Sequence, residues 1–400
     1  MPREIFLLCG DQRLTYAALS ELVTARVVEL GDRSGTQIVV RPRLDFESVV
    51  ELLAIPRTGA SAVVVGPNRP DTDQLISLAG LDRRPSHTIL FTSGSSGEPK
   101  GVRLAATNWE AAARASMEHL KNGAGDRWLC VLPLHHVGGL SILYRALYGG
   151  GSVVLESDLD RAGGWLDRVA IASLVPTQLY RLLNRRTEVL RSAPIVLLGG
   201  GPADPILVER AGDAGLKILR TYGMTETTSQ VATAREPGGP MFPLPGVDVA
   251  IGPEGRIEIT GPIVMTGYIG ESDLGGGFLT ADYGVIDSDG SLEVLGRADR
   301  VIITGGEKVN PEAIESLVTR HPGVTEVVVI GIPDSEWGER VVAVFVGDVD
   351  SSDLHNFLRR SVPAYSLPKQ WVQVESLPRT DLGKVDAAAV RRLFSAASGS

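Results

Sequence analysis

Thr88-Ile-Leu-Phe-Thr-Ser-Gly-Ser-Ser-Gly-Glu-Pro-Lys-Gly-Val102 is the stretch from which the fold is read. Thr88–Phe91 is a short apolar run with the residue types of a buried strand. It leads into a loop of hydroxyls and glycines, Thr92, Ser93, Gly94, Ser95, Ser96 and Gly97, that closes on Lys100. Backbone N–H groups, hydroxyls and an ammonium can converge there on a polyphosphate. A Walker A loop is excluded, because Gly101 rather than Ser or Thr follows Lys100 and the glycine spacing differs.

Outward from this loop, apolar runs at Ile38–Val40, Ala62–Val65, Trp128–Leu132 and Ser152–Leu155 alternate with longer amphipathic stretches. That alternation predicts an α/β fold whose parallel or mixed sheets carry packed helices. Helices are expected at Thr15–Leu30, opened by Thr15, and at Asn108–Lys121, capped by Asn108. Between about Pro237 and Ile286 glycine and proline become dense and short alternating strands are expected at Val247–Ile251, Arg256–Ile259 and Val264–Tyr268, a small β-rich subdomain. After it a compact α+β unit begins, with Asn310-Pro311 as a helix start, further strands at Val301–Ile303, Glu326–Ile330, Arg340–Val346 and Trp371–Val374, and helices at Ser352–Ser361 and Val385–Phe394. The expected organisation is an N-terminal domain over residues 1–297, with its β-rich part at about 237–296, and a smaller C-terminal domain over 298–400.

Composition bounds the function. The 400 residues carry 39 basic and 48 acidic side chains, a net charge of −9, which argues against a nucleic-acid surface. With 43% apolar and 22% charged residues the chain can bury a large core and is not globally disordered. No run approaches the roughly 20 apolar residues of a membrane helix, and the N-terminus lacks a signal-peptide pattern, so no membrane insertion and a cytosolic location are expected. Cys9 and Cys130 form neither a disulfide framework nor a metal-ligand spacing. Lysine occurs only at positions 100, 121, 217, 308, 369 and 384, so a lysine inside a motif carries weight.

Seven motifs occur in order: the loop at 92–101, Leu132-Pro-Leu-His-His-Val-Gly138, Tyr222-Gly-Met-Thr-Glu226, Thr280-Ala-Asp282, Gly296-Arg-Ala-Asp299, Gly305-Gly-Glu-Lys-Val-Asn-Pro-Glu312 and Pro378-Arg-Thr-Asp-Leu-Gly-Lys384. In this order they resemble the AMP-forming acyl-CoA synthetase, adenylation-domain and luciferase superfamily. The resemblance implies ATP, Mg²⁺ and the co-substrate CoA, with a small carboxylic acid as the partner to be activated. It also implies a C-terminal domain that moves between two chemical steps. The early position of the loop implies an abbreviated N-terminal region.

On the matching residues, the resemblance makes Thr92 to Gly97 and Lys100 the phosphate site. Glu226 becomes the metal carboxylate beside Thr225, in keeping with the preference of Mg²⁺ for oxygen ligands shared with phosphates. Gly199, Gly200, Gly201, Tyr222 and Gly223 would receive the adenine, and Asp282 and Arg297 the ribose. Asp299 matches the hinge, Gly305 and Gly306 the path of the incoming thiol, and Lys384 the catalytic lysine. Two departures stand out. Ala281 replaces the family's usual glycine, and His135 stands beside the family histidine His136 where an aromatic is usual, adding a titratable group to the acyl pocket.

The segments 197–203 and 222–230 most resemble the branch of the superfamily that ligates 2-succinylbenzoate to CoA for menaquinone biosynthesis. Ser229 and Gln230 would then line the acyl pocket with His135 and His136. The partner of the substrate's second carboxylate stays open among these histidines and an arginine. Other acyl- or aryl-CoA ligases, a carrier-loading adenylation domain and a non-catalytic nucleotide sensor are the alternatives. Lys384 and the hinge speak against a sensor. The oligomeric state, a homodimer included, is open.

Overall fold

The computed structural model describes residues 4–66, 75, 77, 84, 86–93, 99–185, 190–201, 205–379 and 385–395. Gly94, Ser95, Ser96, Gly97 and Lys384 therefore lie outside the described residues, as does the side chain of Ser93. Two compact units are present, one over residues 1–253, 257–280 and 286–293, the other over residues 254–256, 281–285 and 294–400.

The first unit contains a run of parallel strands in the spatial order Ile5–Cys9, Ser152–Leu155, Arg127–Cys130, Ile171–Leu174, Ile195–Leu198 and Lys217–Met224. Ser152–Leu155, Arg127–Cys130, Ile171–Leu174 and Ile195–Leu198 are buried on both faces, which is why they read as apolar runs. Ser229–Ala234 and Met241–Pro243 extend this sheet antiparallel. In a second sheet, Gln37–Val40, Ser61–Val64 and Thr88–Ser93 run parallel, followed by antiparallel Pro99–Leu104 and Gly267–Tyr268. Thr88–Ser93 and Pro99–Leu104 thus form a hairpin whose connection is the hydroxyl and glycine loop, with Thr92 directly opposite Lys100.

The stretch expected as a β-rich subdomain does hold short strands, including Asp248–Ile251 and Arg256–Thr260, but they are shared out. Gly267–Tyr268 joins the second sheet and Met241–Pro243 the first. Local alternation reveals a strand but not its partner.

Thr15 caps Tyr16–Leu30 as expected, accepting from the Ala18 N–H. The helix expected to open at Asn108 opens instead at Ala106 and runs to Leu120. Asn108 lies inside the first turn, where its Oδ1 accepts from the Ala105 N–H at 2.7 Å. Its Nδ2 donates to the Pro262 and Val264 carbonyls at 2.8 and 2.9 Å, a tertiary role no local pattern carries.

Under the strand that leads to the loop lies a buried polar chain. His87 Nε2 is 2.7 Å from the Tyr144 hydroxyl, the Tyr144 ring stacks on Trp109 at 4.5 Å, and Trp109 Nε1 donates to Thr88 Oγ1 at 2.8 Å. Burial, aided by the Arg57 charge, pushes the His87 imidazole down from 6.5 to about 4. The folded chain therefore holds His87 neutral where the unfolded chain already binds a proton. The stability this contributes is fully present above pH 6.5 and is lost progressively as pH falls toward 4. We expect urea unfolding at pH 5 to show about 1–2 kcal/mol less stability than at pH 7.5 from this group. A His87→Gln variant with the same pH dependence as wild type would refute the assignment.

In the second unit, Gly338–Gly347 pairs antiparallel with Val324–Asp334 and parallel with Gln370–Gln373. Ile302–Thr304 and Glu307–Val309 complete the sheet. Asn310 caps Pro311–Val318 by accepting from the Glu312 N–H, and Asp350 caps Ser351–Leu358. The final helix spans Ala387–Ser395. As a compact unit it takes in the chain from Val294, just ahead of the expected boundary at 298. A Cβ on Gly296 would meet Glu312 and Asn310 at 2.6–2.9 Å.

Candidate active site

Three segments distant in sequence meet at the base of the loop. The hairpin fixes Lys100 opposite Thr92, and Gly267–Tyr268 lies beside Val102 and Arg103 in the same sheet. The approach is close: a Cβ on Gly101 would sit 2.2 Å from Ile269 Cδ1, so a larger residue would have to push the isoleucine side chain aside. Lys100 Nζ consequently lies 4.8 Å from the centroid of the Tyr268 ring. The Tyr268 hydroxyl donates to Glu226 Oε1 at 3.0 Å, and the Met265 N–H donates to the Glu226 carbonyl at 2.8 Å. Lys100 and Glu226, read separately from the sequence, are thereby joined through Tyr268, which sequence reasoning passed over as a strand residue.

Glu226 suits Mg²⁺ of the kind that is held by one or two carboxylates together with substrate phosphates and water. No cluster of three or more His, Cys, Asp or Glu able to hold a metal occurs among the described residues, so a cage built wholly of protein ligands is not present there. A single carboxylate near a phosphate loop fits the shared mode.

Gly199, Gly200 and Gly201 follow the carboxyl end of Ile195–Leu198, and Tyr222 and Gly223 occupy the far end of the adjacent Lys217–Met224. This is the end of a parallel sheet where ligands gather. Two contacts demand glycine. A Cβ on Gly199 would lie 2.8 Å from Thr221 Cγ2, and one on Gly223 only 1.7 Å from the Ser229 carbonyl oxygen. Next in the chain comes the turn Thr225–Thr227 that carries Glu226, then two residues with positive φ, Thr228 at 50° and Ser229 at 95°. Such angles in non-glycine residues store of order 1–3 kcal/mol each. They are held by the Thr228 hydroxyl, which donates to the Ile263 carbonyl at 2.7 Å, and by the Thr228 N–H on Thr225.

The strained turn delivers Ser229 to a buried cation. Val137–Gly149 begins just after His136, and Ser141 and Arg145 stand one turn apart on it. Arg145 Nη2 donates to Ser229 Oγ at 3.0 Å, and Ser141 Oγ is 3.3 Å from the same atom. Arg145 is only 3% exposed, with Trp128 at 5.6 Å, and its Nε has no hydrogen-bond partner. Burial pushes its guanidinium down to about 9, still protonated at neutral pH. Among the described residues no carboxylate forms an ion pair with it. A buried charge without a counter-charge is costly, and an anionic ligand would relieve it.

Of the other acyl-pocket candidates, the rings of His135 and His136 lie 4.3 Å apart. The Gln230 side chain is buried and bound on both sides, accepting from Ser116 at 2.7 Å and donating to Thr233 at 2.8 Å. That arrangement braces the strand rather than leaving an amide for a ligand.

In the second unit, Asp282, Arg297 and Asp299 form one cluster. The Arg297 fork grips Asp299 through Nε at 2.8 Å and Nη2 at 2.6 Å, while Nη1 reaches Asp282 at 3.3 Å. This bidentate grip holds the Asp299 carboxyl below its ordinary range. Asp282 is buried and stands in the strand Gly277–Ile286, and neighbouring Ala281 is not among the residues with positive φ, so alanine is tolerated there. Arg300 anchors the chain just beyond the cluster on Glu312 and Glu315 at 3.0 and 2.6 Å. Gly305, at φ 59°, donates its N–H to the Trp337 carbonyl, and a Cβ there would meet the indole at 2.8 Å.

Known proteins resemble this chain in sequence and in fold. Residues 81–269 match the model of the AMP-binding enzyme family, and residues 313–384 that of the AMP-binding enzyme C-terminal domain. The 2-succinylbenzoate–CoA ligase of Bacillus licheniformis is 36% identical over 325 residues, covering 74% of this chain and 68% of that protein. The enzyme of the same name from Bacillus cereus is 35% identical, with 96% of this chain and 94% of the relative covered. Among solved structures, o-succinylbenzoate CoA synthetase from Bacillus subtilis in complex with its acyl-adenylate intermediate superposes with a TM-score of 0.85 at 27% identity, over 96% of this chain and 94% of that one. With matches at this identity across most of its length, and both family models in their proper order, this chain belongs to the AMP-binding enzyme family.

Proposed function

We propose that this chain is an AMP-forming ligase that adenylates 2-succinylbenzoate and passes the acyl group to CoA, a step of menaquinone biosynthesis. The names of its relatives support the reaction. The observation that carries the choice of substrate is Arg145, a buried cation bonded to Ser229 and awaiting an anion. A monocarboxylic acid consumes its only charge in the reaction, whereas a keto diacid keeps a second carboxylate for this guanidinium.

In the first half-reaction an oxygen of the succinyl carboxylate attacks the α-phosphorus of ATP, and pyrophosphate leaves. In the second, the CoA sulfur attacks the acyl carbonyl, AMP departs and the thiol proton is released. Thr92, Lys100 and the loop residues between them hold the phosphates; Tyr222, Gly223 and Gly199 to Gly201 receive the adenine; Asp282 and Arg297 bind the ribose. Glu226 with Thr225 holds Mg²⁺, which neutralises phosphate charge when bound. Lys384 serves adenylation, and the C-terminal domain from 298 onward turns about Asp299 to offer Gly305 and Gly306 to the thiol. No helix among the described residues is long and apolar enough to cross a membrane, and with ATP and CoA as co-substrates we assign the reaction to the cytosol.

The test is ATP–pyrophosphate exchange across a panel of carboxylic acids, with product analysis. AMP, pyrophosphate and a CoA thioester are expected, with 2-succinylbenzoate the fastest acid. ADP and inorganic phosphate would overturn the reaction class, and faster turnover of simple benzoates or fatty acids would overturn the substrate. Glu226→Gln is expected to raise the Mg²⁺ concentration for half-maximal exchange roughly 10–100-fold, the scale of a charged ligand lost. An unchanged Mg²⁺ dependence would mean that another acid holds the metal.

A further inference from the structure

We propose that Tyr268 is a positioning residue that aligns the metal carboxylate of Glu226 and the phosphate-loop cation of Lys100 as a single unit. The inference rests on the reading of Glu226 as the Mg²⁺ carboxylate and adds a residue to it. One end of Tyr268 is a directed donor: its hydroxyl bonds Glu226 Oε1 at 3.0 Å, which fixes the carboxylate and occupies one lone pair while Oε2 stays open for a cation. The face of the same ring lies 4.8 Å from Lys100 Nζ, within the range of a cation–π attraction. An ammonium drawn to this ring is held away from a direct ion pair with Glu226, which would otherwise neutralise both groups before a nucleotide arrived. The ring is itself rigidly placed, because Gly267–Tyr268 is a strand of the sheet that carries the hairpin and the Ile269 N–H donates to the Gly101 carbonyl at 2.8 Å. Tyr268 thus separates the positive and negative halves of a metal–triphosphate site by one aromatic width, while the sheet sets their spacing.

The two ends of the side chain can be removed separately. Tyr268→Phe keeps the ring and deletes the donor, and Tyr268→Leu deletes both. The readout is binding of Mn²⁺ with α,β-methylene-ATP, followed by electron paramagnetic resonance, beside binding of the metal-free analogue and the thermal unfolding midpoint. Tyr268→Phe is expected to weaken Mn²⁺ binding about tenfold, the scale of a lost partner behind a metal ligand. It should leave the metal-free analogue and the unfolding midpoint as in wild type. Tyr268→Leu should also weaken the metal-free analogue, since Lys100 then loses its ring. In Glu226→Gln the further change Tyr268→Phe should have no added effect on Mn²⁺, because the donor acts only through that carboxylate. Wild-type Mn²⁺ affinity in Tyr268→Phe, equal loss of metal-bound and metal-free analogue, or additive effects in the double variant would each overturn the proposal. A wild-type chain that binds neither form of the nucleotide would remove the functional reading, and this inference with it. Normal wild-type binding with an indifferent Tyr268→Phe removes the inference alone.

Discussion

Lys384→Ala is expected to lose adenylation by roughly 10²–10³-fold, the scale of one preorganised electrostatic donor, while still converting chemically made acyl-adenylate and CoA to thioester at near the wild-type rate. Adenylation gathers negative charge on the pentacoordinate phosphorus and on departing pyrophosphate. A fixed ammonium stabilises that charge more than it stabilises the ground state. Thioester formation only releases AMP and places no such demand. On either side of residues 380–384, Arg379 bridges to Val385 and binds Glu326 at 2.8 Å, and the Asp386 N–H donates to the Pro378 carbonyl. Truncating one side chain between these contacts leaves the C-terminal core intact, so a normal unfolding midpoint is expected alongside the loss. On the proposed reading of Asp299 as the hinge, Asp299→Pro should give the opposite pattern, because a fixed φ would restrict that turn. Arg297 grips Asp299 from before and Arg300 is tied to Glu312 and Glu315 just after. Equal losses in both half-reactions for Lys384→Ala would end the account of alternating domain poses.

How much of this could be read in advance differs from residue to residue, and the difference is physical. Thr88–Ser93, Ser152–Leu155 and the Asn310-Pro311 helix start are set by local chemistry, an apolar run bounded by turn residues or a side-chain cap, and each stands in the fold within a residue or two of its expected place. Asn108 has the residue type of a cap, but two carbonyls more than 150 positions away draw its amide into the first turn. Gln230 lies in a motif that suggests a pocket, yet its neighbours Ser116 and Thr233 bind both ends of its amide. Tyr268 escaped notice because its two partners, Lys100 and Glu226, come from different segments and meet only through sheet pairing. Arg145 did leave a signal. In Val137-Gly-Gly-Leu-Ser-Ile-Leu-Tyr-Arg-Ala-Leu-Tyr-Gly149 it is the lone charge on an otherwise apolar helix, one turn from Ser141, and such a charge needs a reason.

That reason leads to the second large effect. Arg145→Met fills much the same volume and removes the charge, so the apolar surroundings of the site should tolerate it. Against 2-succinylbenzoate it is expected to lower kcat/KM about 10²–10³-fold, since the substrate's second carboxylate would be buried with no counter-charge. Against 4-oxo-4-phenylbutanoate, which has the carboxylate to be activated but lacks the one on the ring, the same variant should match or exceed wild type. Wild type must leave Arg145 unpaired with that analogue, whereas the methionine variant leaves nothing charged in the pocket. The preference for the diacid should therefore collapse through loss on one side only, a result that general damage to the pocket cannot mimic. Arg145→Lys should recover part of the diacid activity, because it restores the charge without the planar fork that reaches Ser229. If both acids lose activity in parallel, Arg145 supports the helix and the strained turn at Ser229, and the second carboxylate must be sought beside His135 and His136.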